Sequence, residues 1–555
     1  MHVVIVAGGL GSRLAPQTNF IPKFLVNIGK NTGYVEQVRY WMQFDPVFKI
    51  EDDLLPELSE AEIKDLKKRV MGSLTVIVHS NYAALIKAYH ELYFPDIPLI
   101  VKTVDVHNGS AHAILSTCDH LVGKSVFFQW CDVMPAPDVL IPVKQMAEYY
   151  GSSNVIFTNY DFPNRYALDG HWHDRVPVKS EDSTGGIFGL YYISDYQPSK
   201  VQYTDGQDFV EVIEQFGPIR EHHITKIVDW GDIVKLDQTR DQADKAREFN
   251  RVTFHGDLVL KEALNKQGMM LIWDEIHWYK ELISTAAPVP AVWFDTNQQS
   301  FVMTRVYADP AYIAFNKADS ESQHLILNKV VDAMRKIHGA AEVEVPFEKL
   351  LEDVTVESFT KLHTRCSEIR KVISAFGDVK VVNGMELPFE LFDPGATIKE
   401  LNDAIVQSYS ADTKYNLIHG DLQMSNSMID KNWEVTIIDP RGYFGTTKLY
   451  GLADYDYGKL LYSLSGYDLF NYSRQFHIEK LQDGEIKFTI PQTRLSEECL
   501  QEMKKIFKPV HYYWLAVNWI GLAQYIKNDP VKSVCAYYHG LYLANKFIHG
   551  NFTLS

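Results

Sequence analysis

The segment VIVAGGLGSRLAPQTNFIPKF, Val4 to Phe24, decides how the first half of the chain is read. Its β-branched start reads as a strand, and Gly8, Gly9 and Gly11 follow as a turn. Glycines there let the backbone pass close to phosphate oxygens and present N–H groups at the start of a helix. A dinucleotide fingerprint built on Gly9 and Gly11 needs a third glycine where this chain has Leu14, and the Gly-Lys-Ser/Thr ending of a Walker loop is absent. Two cations take their place, Arg13 in the turn and Lys23 in IPKF, suited to offsetting the charge of a triphosphate attacked at phosphorus.

Outward from this turn, HVVIVAG, LTVIVHS, PLIVKTV, SVFFQW and NVIFTNY are short, nearly continuous apolar runs separated by helix-length segments. That alternation predicts an α/β domain with a mostly parallel sheet over residues 1–237. KIEDDLLPELSEAEIKDLKKRV, Lys49 to Val70, reads as a solvated helical insertion capped by Ser59 and Glu62. KLDQTRDQADKAREFNR, Lys235 to Arg251, is polar with no apolar periodicity, and a linker is placed at 238–247. From 248 to 555 strand-like segments (RVTFHGDLVLKEA, AVWFDTNQQSFVMTRV) precede mostly helical ones, an α+β arrangement with a small sheet-rich lobe before a larger helical lobe.

The opening turn resembles the signature of the sugar-phosphate nucleotidyltransferase family, GGxGxRLxPxT followed by Pro-Lys, at Gly8, Gly9, Gly11, Arg13, Leu14, Pro16, Thr18, Pro22 and Lys23. The resemblance implies a Rossmann-like fold that joins an NTP to a phosphorylated metabolite and releases pyrophosphate. The metabolite's phosphate oxygen attacks the α-phosphorus in line, while Mg²⁺, Arg13 and Lys23 offset the charge. NGSAHAI, Asn108 to Ile114, is similar to the family's segment that contacts base and ribose, which makes Ser110 a nucleotide-binding residue with Gly8, Gly9 and Gly11. Asp132 in FFQWCDVMP matches the family's metal aspartate and falls at a strand's C-terminal edge, where open α/β sheets bind ligands. VDWGDI resembles the Trp-x-Asp-Ile/Thr element and nominates Asp232 as the second metal carboxylate, with Asp229 competing. The family's Glu-Lys-Pro element for the sugar phosphate has no match, and Lys179 lies just before the segment that resembles its Gly-rich strand.

In the second half, LIHGDLQMSNSMIDKNWEVTIIDPRG, Leu417 to Gly442, carries Asp421 on a loop after an apolar strand, then Asn426, then Asp439 ending VTII. A phosphotransferase needs this spacing: a carboxylate to orient and deprotonate the attacking hydroxyl, then an amide and a second carboxylate to hold Mg²⁺ on the triphosphate. The motif resembles the aminoglycoside phosphotransferase and choline kinase superfamily, whose fold is bilobal and protein-kinase-like, over about residues 248 to 547. The resemblance implies that Lys261 in DLVLKEA and Glu275 in LIWDEIHWYKEL pair to hold ATP phosphates, with Lys266 the rival to Lys261, and that Asp456 steadies the catalytic loop. Trp514 and Trp519 faintly resemble a choline kinase element, and an aromatic cage suits a quaternary ammonium. An aromatic stripe at helical spacing is nevertheless more often core. Arg441 follows Asp439 where choline kinases carry an acidic residue, which disfavours a cation and favours a sugar, a polyol or an anionic group.

Composition sets the frame. The 555 residues exceed one hydrophobic core, and 46% apolar with 23% charged residues is ordinary for a globular protein. A net charge of -17 argues against a nucleic-acid binder. Five scattered cysteines without a CxxC pair point to reduced thiols and no structural zinc, and neither a signal peptide nor a membrane span is evident, so a cytoplasmic location is expected. A kinase that makes a phosphomonoester and a transferase that consumes one are consecutive steps. The expectation is therefore a bifunctional enzyme with Mg²⁺ at both sites and with ATP and a second NTP as substrates, activating a sugar or polyol for surface polysaccharide synthesis. Two alternatives stay open: a choline or ethanolamine kinase joined to a CTP-using transferase, and a nucleotide-sensing binding protein with one inactive domain.

Overall fold

The computed structural model describes residues 2–9, 11–15, 18–44, 73–105, 108–163, 166–167, 178–179, 184–242, 249–295, 299–377, 379–387, 395–472, 476–482, 484–491 and 495–554. The chain divides into two units, Met1–Asp244 with Asn528–Val531, and Lys245–Lys527 with Lys532–Ser555. Pro16 and the expected helical insertion at Lys49 to Val70 lie outside the described residues.

In the first unit, β1 (His2–Ala7) lies between β2 (Ser73–His79) and β4 (Val126–Trp130), parallel to both, and β2 pairs in parallel with β3 (Leu99–Val104). Val3, Val4 and Ile5 are completely buried, as a central strand with continuous apolar sequence requires. Beyond β4 the sheet continues through β9 (Thr184–Ile193), β6 (Asn154–Pro163) and β10 (Ile219–His223). β9 runs antiparallel to both neighbours, β6 and β10 are parallel, and the short β7 (Tyr166–Ala167) pairs antiparallel with β9 and with β8 (Val178–Lys179), so the sheet is mostly parallel with β8 and β9 reversed. Helices α1 (Gly33–Met42), α2 (Ala83–Tyr93) and α3 (Gly109–Thr117) occupy the crossovers. Ile114 of α3, Phe128 of β4, Tyr191 of β9 and Phe209 share one buried core.

Two short strands outside the main sheet lie beyond the end of β4. β5 (Val133–Pro135) follows β4 directly and pairs antiparallel with β11 (Ile227–Asp229), placing Asp229 opposite Val133. The fully buried Trp230 comes next, and a Cβ on Gly33 would stand 2.4 Å from its ring, so only glycine at the start of α1 admits this close approach. Helix α4 (Ile233–Gln242) then runs into the stretch expected to be linker at 238–247, with the first unit's Leu236 fully buried and Arg240 Nε donating to the Asn27 carbonyl at 2.9 Å. The polar periodicity of this segment hid a helix anchored by one leucine and one arginine. Residues 243–248 lie outside the described residues.

The second unit opens with β12 (Asn250–His255), β13 (Leu258–Ala263), β14 (Val292–Phe294) and β15 (Ser300–Thr304) in an antiparallel sheet of order β12-β13-β15-β14. Helix α5 (Lys266–Leu282) begins at Asn265, whose side chain caps the Gly268 N–H, and buries Ile272, Ile276, Trp278 and Leu282. The remainder of the unit is mainly helical, including α6 (Ser320–His338), α7 (Ala453–Tyr462) and α8 (Pro509–Tyr525). Trp514 and Trp519 of α8 are completely buried, and their indole N–H groups donate to Tyr409 Oη at 3.2 Å and Ser465 Oγ at 2.9 Å. They are core residues. Among the described residues, no helix is long and apolar enough to cross a membrane.

Candidate active sites

A cleft of about 430 Å³ opens where β1 and β4 end. Gly8, Gly9, Gly11, Arg13, Lys23, Ser110, Asp132, Asp229, Gly231 and Lys235 are among its lining. The turn is closed by Thr18, whose hydroxyl donates to the Gly11 carbonyl at 2.8 Å. Lys23, on the one-turn helix Lys23–Leu25, is buried and ion-paired with Asp132 Oδ2. Burial raises the pKa of Asp132, but the ammonium of Lys23 and the guanidinium of Arg13 outweigh it and hold the carboxyl below its usual range.

The β5–β11 pairing delivers the second carboxylate. Asp229 accepts from Lys235 Nζ at 2.6 Å and from the Gly231 N–H at 2.7 Å, and the Trp230 N–H donates to the Asp132 carbonyl at 2.9 Å. A methyl on Gly231 would stand 2.9 Å from Asp229 Oδ1 and 3.4 Å from Asp132 Oδ2, so both carboxylates border one small space. Burial, with Asp132 adding to it, lifts the pKa of Asp229 above its usual value despite Lys235. Asp232 is placed differently: its Oδ1 accepts the Lys235 N–H at 3.0 Å, an N-cap contact on α4, and it does not line the cleft. Of these two candidates, Asp229 is the one among the cleft's lining. Mg²⁺ is commonly held by one or two protein carboxylates plus substrate phosphates, and the oxygen donors of Asp132 and Asp229 fit that pattern. Among the described residues no group of three or more His, Cys, Asp or Glu side chains forms a self-sufficient metal cage.

Ser110 lines the cleft with its hydroxyl donating to Asp208 Oδ1 at 2.9 Å and accepting from the Phe209 N–H at 2.8 Å. Asp208 also takes the Tyr166 hydroxyl. Asp208 and Lys235 are cleft residues that no motif pointed to. Strand Val178–Lys179 carries Lys179, and its side chain lies outside the described residues.

In the second unit, Lys261 on β13 is nearly buried and donates to Glu275 Oε2 at 2.6 Å and to Asp439 Oδ1 at 2.5 Å. Lys266, the rival, is the exposed first residue of α5. Burial lowers the pKa of Lys261, but Asp439 and Glu275 together raise it above the usual value. Asp439 adopts φ +62°, a left-handed conformation uncommon outside glycine. It is held there by flanking backbone bonds: Ile438 N–H to the Asn426 carbonyl at 3.0 Å and Arg441 N–H to the His419 carbonyl at 2.8 Å. Such strain persists where surroundings over-determine it, and it clusters at functional sites.

The His419–Asp421 loop hangs from Asp456, fully buried, which accepts the His419 and Gly420 N–H groups at 2.8 Å each and pairs with His338 Nε2 at 2.9 Å. Asn426 Nδ2 donates to the Asp421 carbonyl at 2.9 Å, which leaves the amide oxygen as its remaining acceptor. Asp421 Oδ1 accepts from Lys459 Nζ at 2.9 Å and from Gln423 Nε2 at 2.8 Å. Burial raises its pKa, and Lys459, with Arg441 behind it, overrides that and keeps the carboxyl below its usual range. Lys459 is a further residue that the motif did not indicate. Oxygen donors from Asn426 and Asp439 suit Mg²⁺ as the carboxylates of the first unit do.

No protein-family model and no curated protein matches this chain. Among solved structures, the chain is similar at 15% identity and TM-score 0.35 to a Bacillus anthracis protein provisionally assigned as a glucose-1-phosphate thymidylyltransferase, over 44% of this chain and 96% of that one. It is also similar at 14% identity and TM-score 0.32 to a UDP-glucose pyrophosphorylase complexed with UDP-glucose, over 43% of this chain and 97% of that one. Likeness this distant leaves the functional reading to the sites' own geometry.

Proposed function

We propose that the chain is a bifunctional enzyme: its second unit phosphorylates a hydroxyl of a sugar or polyol with ATP, and its first unit joins the resulting phosphomonoester to an NTP with release of pyrophosphate. One observation carries the reading. In each unit a buried lysine is paired to an aspartate just beyond an apolar strand, Lys23 with Asp132 and Lys261 with Asp439. Each pair supplies both groups that a metal–triphosphate complex needs, a cation for phosphate oxygens and a carboxylate for the metal.

Bound Mg²⁺ supplies charge neutralisation at the phosphoryl oxygens in both sites. In the first, the glycine turn presents backbone to the triphosphate, Arg13 and Lys23 offset charge as the phosphomonoester oxygen attacks the α-phosphorus, and Asp132 with Asp229 hold the metal. In the second, Asp421 accepts the acceptor hydroxyl's proton, Lys261 anchored by Glu275 positions the phosphates, and Asn426 with Asp439 hold the metal. The test supplies the full chain with Mg²⁺·ATP and a panel of sugars and polyols, with choline and ethanolamine, and then each NTP. ADP and pyrophosphate are followed separately. Pyrophosphate release that depends on the ADP-forming step supports the coupled reading, and formation of neither product with any acceptor contradicts it.

A further inference from the structure

The side chains beside Asp421 carry more positive than negative charge. Arg441 lies against the catalytic loop, its guanidinium 3.8 Å over the Tyr443 ring, with Nη1 donating to Tyr455 Oη at 3.1 Å and Nη2 to Glu357 Oε1 at 3.2 Å. Glu357 sits in the wide turn Val356–Thr360, and its other oxygen accepts Lys361 Nζ at 2.7 Å. Arg365 follows one helical turn after Lys361, donating to the Gly521 carbonyl at 3.0 Å. With Lys459 on Asp421, three cations pair with two carboxylates, Asp421 and Glu357, and the charge of Arg365 acts on Lys361 as a fourth. A further acid near Asp421, Asp468, is buried behind Ser463, and burial pushes its pKa up to about 6.

This excess is built in largely buried surroundings: the Glu357 side chain is 2% exposed, and those of Arg441 and Lys361 are 17% and 19% exposed. Grouped like charges removed from water are costly unless compensated. Burial and the neighbouring Arg441 and Arg365 lower the pKa of Lys361 to about 7 in spite of Glu357. A guanidinium stacked on an aromatic ring, as Arg441 is on Tyr443, is suited to binding a planar or tetrahedral oxyanion. Ionisable groups perturbed in this way cluster at functional sites.

We propose that the hydroxyl compound phosphorylated by the second unit carries an oxyanion, a carboxylate or a phosphate ester, bound by Arg441 and Lys361 with Arg365 supporting them. The proposal rests on the phosphotransferase reading of the second unit and narrows its substrate class. In the step, the acceptor oxygen forms a bond to the γ-phosphorus, the bond from that phosphorus to the β,γ-bridging oxygen breaks, Asp421 takes the hydroxyl proton, and ADP leaves. The acceptor's own oxyanion is unchanged and stays paired with the cations.

The test uses the full chain with Mg²⁺·ATP and matched acceptors: glycerate against glycerol, glucuronate against glucose, and glucose 6-phosphate as the phosphate-ester arm. ADP release is followed alongside Mg²⁺·ATP binding by thermal shift. At least one anionic member is expected to have a kcat/KM ten-fold or more above its neutral counterpart. Lys361→Gln and Arg365→Gln are expected to raise KM for that acceptor about ten-fold while kcat stays within two-fold, and Lys361→Arg to restore it. Equal or better use of the neutral members, variants that raise KM for both kinds alike, or Mg²⁺·ATP binding with no ADP from any acceptor would overturn the proposal and leave the nucleotide site standing. Absence of Mg²⁺·ATP binding as well would remove the phosphotransferase reading itself, and the proposal with it.

Discussion

Lys23 has one carboxylate partner among the described residues, Asp132, whereas Lys261 has two, Glu275 at 2.6 Å and Asp439 at 2.5 Å. On the proposed function the difference sets how each lysine would respond to a metal–nucleotide complex. If Asp439 turns to the metal, Glu275 still holds Lys261 in place, so that cation is preset. Among the described residues Lys23 has no such anchor. On the proposed function its release from Asp132 and its capture by phosphate would be one event, so metal and nucleotide binding are expected to be coupled in the first unit and separable in the second.

The largest expected effects lie in the chemistry itself. Lys261→Met or Asp439→Asn should lower ADP formation by about 1,000-fold or more, and Lys23→Met should lower pyrophosphate formation by about 100- to 1,000-fold, in line with the loss of phosphate-neutralising groups elsewhere. Initial rates of the two products in each variant check this. Stability comes next. Lys261→Met removes the cation that faces the Glu275 and Asp439 carboxylates, and denaturant titration should show a loss of about 3 kcal/mol in the second unit. The double variant Lys261→Met/Glu275→Gln should regain most of it.

A sharper contrast separates two neighbouring aspartates. Asp229→Asn should raise the Mg²⁺ concentration needed for half-maximal pyrophosphate release by about ten-fold, the effect of removing one of two carboxylate donors. Asp232→Ala should leave that requirement alone and cost about 1 kcal/mol of stability, as loss of an N-cap does. The smallest expected effect is a pH dependence. Lys361 is faced by Glu357, Arg441 and Arg365, with the Tyr455 hydroxyl on Glu357, and its pKa, lowered to about 7, makes it lose charge as pH rises through that value. Binding of an anionic acceptor favours the charged form, so its KM should rise several-fold as pH climbs from 6 to 8, and Lys361→Arg should flatten the profile.

Much of the first unit was legible because its strands are buried on both faces and read as continuous apolar runs. The glycine turn, Lys23 and Asp132 lie close together in sequence or at a strand end, where local pattern is informative. Asp229 was harder, since both it and Asp232 sit in VDWGDI and only the β5–β11 register shows which one faces Asp132. A strand ending at Asp229, followed by a capping Asp232 before a polar helix, is the signal that could have ordered them. In the second unit, Lys261, Glu275, Asp421, Asn426 and Asp439 were nominated by spacing, and the structure brings Lys261, Glu275 and Asp439 into direct contact. Lys459, Glu357 and Lys361 were silent because their places beside Asp421 and Arg441 arise from packing between distant segments, where ordinary helical charge patterns take on meaning only in three dimensions.

The central claim is that two independent sites act in succession, and exchanging one substitution between them tests it most directly. Full-length Asp421→Asn and Lys23→Met variants would be assayed with acceptor, Mg²⁺·ATP and NTP, and again with phosphomonoester prepared by the wild-type chain. Asp421→Asn should form no ADP yet release pyrophosphate from the supplied phosphomonoester at close to the wild-type rate, and Lys23→Met should do the reverse. If either substitution silenced both reactions in a folded protein, or left both running, the two-site assignment would be wrong.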